Sequence, residues 1–431
     1  MTQLSRRSLL AASLASPFAG GVSGLATAQS ASVPPAPAGP DDEAYWARVA
    51  ANYDVTGDIT NVENGNWGLM AHPVLDAYKA HTERVNRDNS YFARRAYGPI
   101  FMDILEETAT RLGASTDEIA FTRGATEALQ NLIAGYNRLE PGDAVMMADL
   151  DYGSVMNTMR WKASQAGAET IEIAIPEPAT HDAVLETYRA ALTSHPNTRL
   201  LLLTHISHRT GLVMPVREIS EMAHEQGVDV VVDAAHSWGQ MDFTAPDLGA
   251  DFIGFNLHKW IGAPIGVGAM YIRKGRLGDI DPNMSAGPGE VDSIHGRVHT
   301  GTSNFAAYMS VPDAFAFQDT MGWPEKAARL SHLRDLWVSQ CQGVEGVEVL
   351  TPDDPRMHAG ITSFRFSGMA SEDENKAIAA YLLEHHQVFT VHRTGVTAGA
   401  CIRVTPGYYN SARDMQRAAA AILDARQHFL G

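Results

Sequence analysis

Between Arg199 and Lys274 the chain returns repeatedly to short apolar runs that leave no side for water. RLLLLTHIS, VDVVVDAAHSWG, ADFIGFNLHKW and GVGAMYIRK are each about a strand long and near-continuously apolar. Such runs suit strands covered on both faces, and the helical stretches between them supply the cover. One of these, PVREISEMAHEQG, is amphipathic and is closed by Gly227. Upstream, EIAFTRGATEALQNLIAGY reads as a strand ending near Thr122, a glycine turn, and a helix from about Thr126. DAVMMADLDYGSV and TIEIAIP add further strands. The expectation is an α/β fold around a mostly parallel sheet. From about Ser310 the pattern changes. A long helix in WPEKAARLSHLRDLWVSQCQ precedes ITSFRFSG, HQVFTVHR and ACIRVTP, which predicts a smaller α+β domain over residues 311–431. Residues 61–310 then form the large domain, and residues 41–60 pack with the small one.

The N-terminus is built differently. SRRSLLAASLASPFAG places Arg6 and Arg7 before a weakly apolar run, and ATAQSA offers a small-x-small cleavage site at Ala26-Thr27-Ala28. This pattern predicts a twin-arginine signal peptide over residues 1–28, hence recognition by that export machinery and a periplasmic location. The run is too short to anchor the mature chain in a bilayer, which takes roughly 20 residues. A Pro/Ala linker follows over residues 29–40. The net charge of −17 argues against nucleic acid as a partner. Two cysteines, Cys341 and Cys401, make neither a disulfide framework nor a zinc cluster.

Three features carry chemistry. In TRGATEALQ a glycine turn opens a helix whose first amides, at Ala125 and Thr126, lack intrahelical partners and are suited to a phosphate. In VVVDAAHSWG, Asp233 ends a buried strand, where α/β sheets place their ligands. In GFNLHKWIGAPIG, Lys259 stands among apolar residues, and a desolvated lysine amine is a nucleophile towards carbonyls. A phosphate cradle, an aspartate for a pyridine nitrogen and a Schiff-base lysine are the parts that pyridoxal phosphate requires.

On VVVDAAHSWGQ followed by ADFIGFNLHKWIGAPIGVGAMYIR, the chain resembles the class V aminotransferase family of fold-type I enzymes, isopenicillin N epimerase-like branch, over roughly residues 60–410. The resemblance implies a seven-stranded, mostly parallel sheet and a role for individual residues. Lys259 would hold the cofactor and shuttle the substrate proton. Asp233 would pair with the ring nitrogen and His236 would approach the ring hydroxyl. Ala125, Thr126 and His258 would hold the phosphate. Tyr152 would stack on the ring, and Ser207 and His208 would touch its edge. HTGTSN resembles a segment reaching the phosphate of a neighbouring subunit through Thr302, which implies a homodimer with shared active sites. Arg403, in ACIRVTPGYYN, would clamp a substrate carboxylate, with Asn66 and Trp67 lining the substrate pocket. Arg94 and Arg95 could read a distal carboxylate or simply face solvent, as His385 and His386 would. His205 and His208 lack the further ligands that a metal site needs.

The branch of chemistry is less constrained. In HRTGVTAGACIR, Ala398 stands where desulfurases of the family carry a nucleophilic cysteine, and Cys401 reads as a buried strand residue. No base for a second face of the substrate stands out, so the sequence favours an amino-group-removing, transaminase-type reaction on an amino acid or peptide. Epimerisation or a lyase reaction is the alternative. A non-catalytic binding module is the reading from another class.

Overall fold

The structure is a computed structural model that describes residues 36–299 and 301–431. The expected signal peptide and the first part of the linker lie outside the described residues. Thirteen strands are described: β1 (Thr60–Asn61), β2 (Ile119–Thr122), β3 (Ala144–Ala148), β4 (Glu169–Ile173), β5 (Thr198–Thr204), β6 (Asp229–Ala234), β7 (Phe252–Asn256), β8 (Gly268–Ile272), β9 (Val347–Val349), β10 (Thr362–Phe366), β11 (Val388–Phe389), β12 (Val391–Arg393) and β13 (Cys401–Val404).

Seven of them form the large sheet, in the order β2-β8-β7-β6-β5-β3-β4. Pairing is parallel from β7 through to β4, whereas β8 runs antiparallel to both its neighbours. The apolar runs of the sequence are these strands. Every residue of β3, β7 and β8 is buried, because helices cover both faces of the sheet. β6 lies at the centre, with Asp233 opposite Thr204 of β5 and Gly254 of β7. Its carboxylate therefore emerges at the C-terminal edge of the parallel strands.

The turn Arg123-Gly124 leads from β2 into helix Ala125–Gly135. That helix start lies directly on the sheet. A Cβ added at Gly268 of β8 would fall 2.4 Å from the Cα of Gly124. Glycine in GVGAMYIRK is thus what lets the helix terminus reach the edge where Asp233 sits.

The C-terminal domain holds a four-stranded antiparallel sheet, β12-β13-β10-β9. Helices Trp323–Cys341, Glu372–His386 and Ala412–Leu430 accompany it. Its core gathers Leu333, Trp337, Phe364, Ile402 and Ile422, and it also takes in Val62. The N-terminal segment reaches this core because β1 pairs in parallel with β11. Helix Glu43–Ala50 turns the other way. Its Tyr45, Trp46 and Val49 join the core of the large domain. Helix Trp323–Cys341 bridges both cores, with Leu330 in the first and Leu333 and Trp337 in the second.

Candidate active site

At the C-terminal edge of the parallel strands the chain encloses a cavity of about 540 Å³. Lys259 reaches it from the loop after β7. That loop is fixed through its carbonyls. Gly68 N–H donates to His258 O (2.8 Å), Gln318 Nε2 to Ile261 O (2.8 Å) and Lys326 Nζ to Trp260 O (3.3 Å). Burial pushes the Lys259 amine down to about 7; Asp233 and Glu63 pull it up, and Arg403 and Arg393 press it lower. Its Nζ lies 2.9 Å from His236 Nε2. Burial also keeps His236 neutral, well below the ordinary histidine range, and its Nδ1 has no protein partner. Asp233 accepts the amide of Ala235 (2.9 Å). Burial raises its carboxyl above the usual range, against the Ala235 amide and the Lys259 charge.

Tyr152 lies just before helix Gly153–Ala166, with its ring edge-on to His208 at 5.1 Å between centroids. Both line the cavity, as do Asn66, Thr126, His236, His258 and Arg403.

Other expected residues are placed differently. Ser207 is buried away from the cavity: its hydroxyl donates to Leu150 O (3.3 Å) and accepts the amide of Arg209 (3.2 Å), which shapes the turn presenting His208. Trp67 is half exposed and outside the cavity wall, and Thr302 is at the surface. Arg94 and Arg95 are also exposed. His386 pairs with Asp424 on the outside of the small domain (2.9 Å). His205 is buried edge-on to Phe243.

Two expected phosphate contacts change character. The Ala125 amide already donates to Asn256 Oδ1 (2.8 Å), so this side chain at the end of β7 caps the helix in place of an anion. The helix start therefore offers a phosphate the Thr126 hydroxyl and the amides of Thr126 and Glu127, since the Ala128 amide donates to Gly124 O (3.1 Å). His258 Nδ1 donates to Val267 O (2.9 Å), and burial presses the ring down to about 4. Its Nε2 then carries a lone pair and can donate to an anion only as the cation.

Arg403 is where sequence and structure differ most. Its Nη1 donates to His208 O (2.8 Å), and its Nη2 lies 2.5 and 2.7 Å from the two oxygens of Glu63. Arg393 Nη2 reaches the same carboxylate at 3.1 Å. The expected clamp therefore meets a carboxylate of its own chain. Neither Glu63 nor Asn256 stands out in the sequence. Glu63 is 340 positions from its partner, and Asn256 reads as one more strand residue.

The residues present fit pyridoxal phosphate. Asp233 is a buried carboxylate in need of a cation, which a protonated ring nitrogen supplies. The His236 Nδ1 is a buried polar atom awaiting a partner, Lys259 is poised to bond an aldehyde, and the helix start beside Thr126 attracts a phosphate. When bound, this cofactor acidifies the C–H of an amino-bearing carbon by drawing electrons into its ring.

The Aminotransferase class-V family model matches residues 71–417. The isopenicillin N epimerase of Amycolatopsis lactamdurans is 26% identical over 400 residues, spanning 88% of this chain and 98% of that protein. A probable cysteine desulfurase of Methanothermobacter thermautotrophicus is 27% identical over 368 residues, 79% of this chain and 89% of its own length. Among solved structures, a C-DES mutant with glycine covalently linked to the PLP cofactor superposes with a TM-score of 0.72 at 20% identity, covering 85% of this chain and 97% of that one. A lysine, an aspartate and an anion-attracting helix start meeting in one cavity agree with that match over most of the chain: the protein belongs to the aminotransferase class-V family, and its cofactor is pyridoxal phosphate.

Proposed function

We propose that this enzyme removes the proton from the amino-bearing carbon of an amino acid or peptide and completes an epimerisation. The observation that carries the reading is Lys259, an amine in the cavity that burial pushes down to about 7, so that neutral and protonated forms are both populated at neutral pH. A neutral amine accepts a proton, and the ammonium it becomes returns one. Asp233 stabilises positive charge on the ring nitrogen. His236, neutral and in contact with Lys259, orients the amine. Inversion needs a second proton carrier, and Tyr152 on the cavity wall beside His208 is the residue proposed for it.

The relatives support this branch over the transaminase-type reaction favoured by the sequence, since those named above are an epimerase and a probable desulfurase. A β-eliminating lyase is the second reading. A desulfurase is disfavoured by the chemistry of the thiols. Ala398 replaces the expected nucleophile, and Cys401 is buried with its thiol pushed up to about 11 by that burial.

Twin-arginine export, a periplasmic site of action and a homodimer completed through Thr302 belong to the same proposal. The arginine pair and the HTGTSN segment support them.

The test is to incubate the loaded enzyme with amino acids and peptides in heavy water. Epimerisation predicts solvent deuterium at the amino-bearing carbon of both stereoisomers, with the cofactor absorption retained. Stoichiometric loss of that absorption, restored by a 2-oxo acid, would return the assignment to transamination. Release of a β substituent would select the lyase.

A further inference from the structure

The pair Glu63–Arg403 is built into the fold. Glu63 bridges in parallel to Thr405, two residues beyond Arg403. Thr405 N–H donates to Val62 O (2.7 Å), and Asn64 N–H donates to Thr405 O (3.1 Å). Backbone bonds on either side of Glu63 thus hold its carboxylate against the guanidinium. The next turn of chain closes the approach, since a Cβ at Gly65 would fall 2.8 Å from Arg403 Nη2. Both arginines line the cavity, but the side chains of Glu63 and Arg403 are only 7% and 1% exposed, whereas that of Arg393 keeps 28%.

A guanidinium binds a carboxylate through two parallel N–H bonds. It has two such faces, Nη1 with Nη2 and Nε with Nη2, and both use Nη2. Both oxygens of Glu63 lie on Nη2, and Nη1 also serves His208 O. Arg403 can therefore offer an incoming carboxylate no full face while Glu63 is in place, and the Glu63 carboxylate, shared with Arg393, offsets part of its charge.

We propose that Glu63 is a specificity-determining residue that competes, through Arg403, with the carboxylate of the substrate. Every carboxylate ligand must displace Glu63 or settle for Arg393, and this cost is common to all of them. A small free amino acid has few other contacts to offset it. A peptide-borne residue has more surface to place in the cavity, so the competition favours substrates of that class. The inference rests on the proposed chemistry at Lys259 for its meaning, and on Glu63 alone for its test.

Propionate is titrated calorimetrically into the cofactor-loaded protein and into its Glu63→Gln variant, with propionamide as the uncharged control. Glutamine keeps the size and an acceptor for Arg403. The expected result is that Glu63→Gln binds propionate about 10-fold more tightly, with propionamide unchanged. Glu63→Ala should shift affinity in the same direction and serves if the glutamine variant misfolds. A merely structural role for Glu63 would weaken propionate binding or leave it alone, and either outcome overturns the proposal. Absorbance of the bound cofactor is read on the same samples. Failure to load pyridoxal phosphate would refute the reading at Lys259, while the propionate comparison on that protein still decides the role of Glu63.

Discussion

An amine that loses its proton near pH 7 meets an aldehyde as a nucleophile, where an ordinary solvated lysine, near 10.4, is almost wholly the inert ammonium. Lys259 owes this to burial, with Asp233 acting in the opposite direction. The sign of each effect gives a prediction. In protein stripped of cofactor, reductive alkylation of Lys259 by acetaldehyde should rise as pH passes through about 7 and then level off. Asp233→Asn removes the neighbouring anion that favours the ammonium, so the midpoint should move to lower pH. Mass spectrometry of the Lys259 peptide across a pH series checks both. A midpoint near that of surface lysines would show that the amine is not desolvated. Lys259 and Asp233 stand out in the sequence because their neighbours form local patterns that end strands or open turns, and His236 and Tyr152 follow only from the family resemblance; the structure places all four on the cavity wall. Glu63 could not be read, because TNVENGN carries no chemical signature and its meaning comes from Arg403, 340 positions further along the chain.

Elements were more legible than their connections. The strand before Arg123, the helix after it and the stop of helix Val216–Glu225 at Gly227 follow from local preference, and Gly227 takes the left-handed conformation expected after a helix end (φ 71°). HQVFTVHR reads as one strand but divides at Thr390, and its halves join two different sheets as β11 and β12. Tertiary pairing decides this, and no propensity encodes it. The antiparallel course of β8 is equally invisible in an apolar run. The start of helix Ala125–Gly135 shows what connection adds. Asn256 caps it from β7, 131 positions away, and is itself buried. Asn256→Ala would leave the Ala125 amide without its partner, at an expected cost of about 1–2 kcal/mol. Urea unfolding of parent and variant measures it, and identical midpoints would mean that water replaces the cap fully.

For the whole molecule, the proposed shared site makes a quantitative prediction. Lys259→Ala destroys a site from within. Thr302→Asp should destroy the site of the partner by setting a carboxylate against its phosphate. Each variant alone is then inactive. In a re-assorted equal mixture half the dimers are mixed, and each mixed dimer holds one intact site, so about a quarter of parental activity should return. Deuterium incorporation reads the result. No recovery beyond either parent would confine Thr302 to its own chain or to the surface. The wall of the cavity also has a history in time. β1 waits for β11, Thr60 facing Val388, and Glu63 waits for Arg403, 340 positions further along the chain. At cellular rates of synthesis, roughly 5–20 residues per second, Glu63 leaves the ribosome some 20–70 s before its partner exists. The strands around Lys259 and Asp233 end at Ile272 and the partners of the Lys259 loop at Lys326, so on the proposed role of Glu63 the lysine's surroundings precede the carboxylate-reading wall in order of synthesis. If Glu63 has the proposed role, the means of telling substrates apart is complete only once β13 has been made.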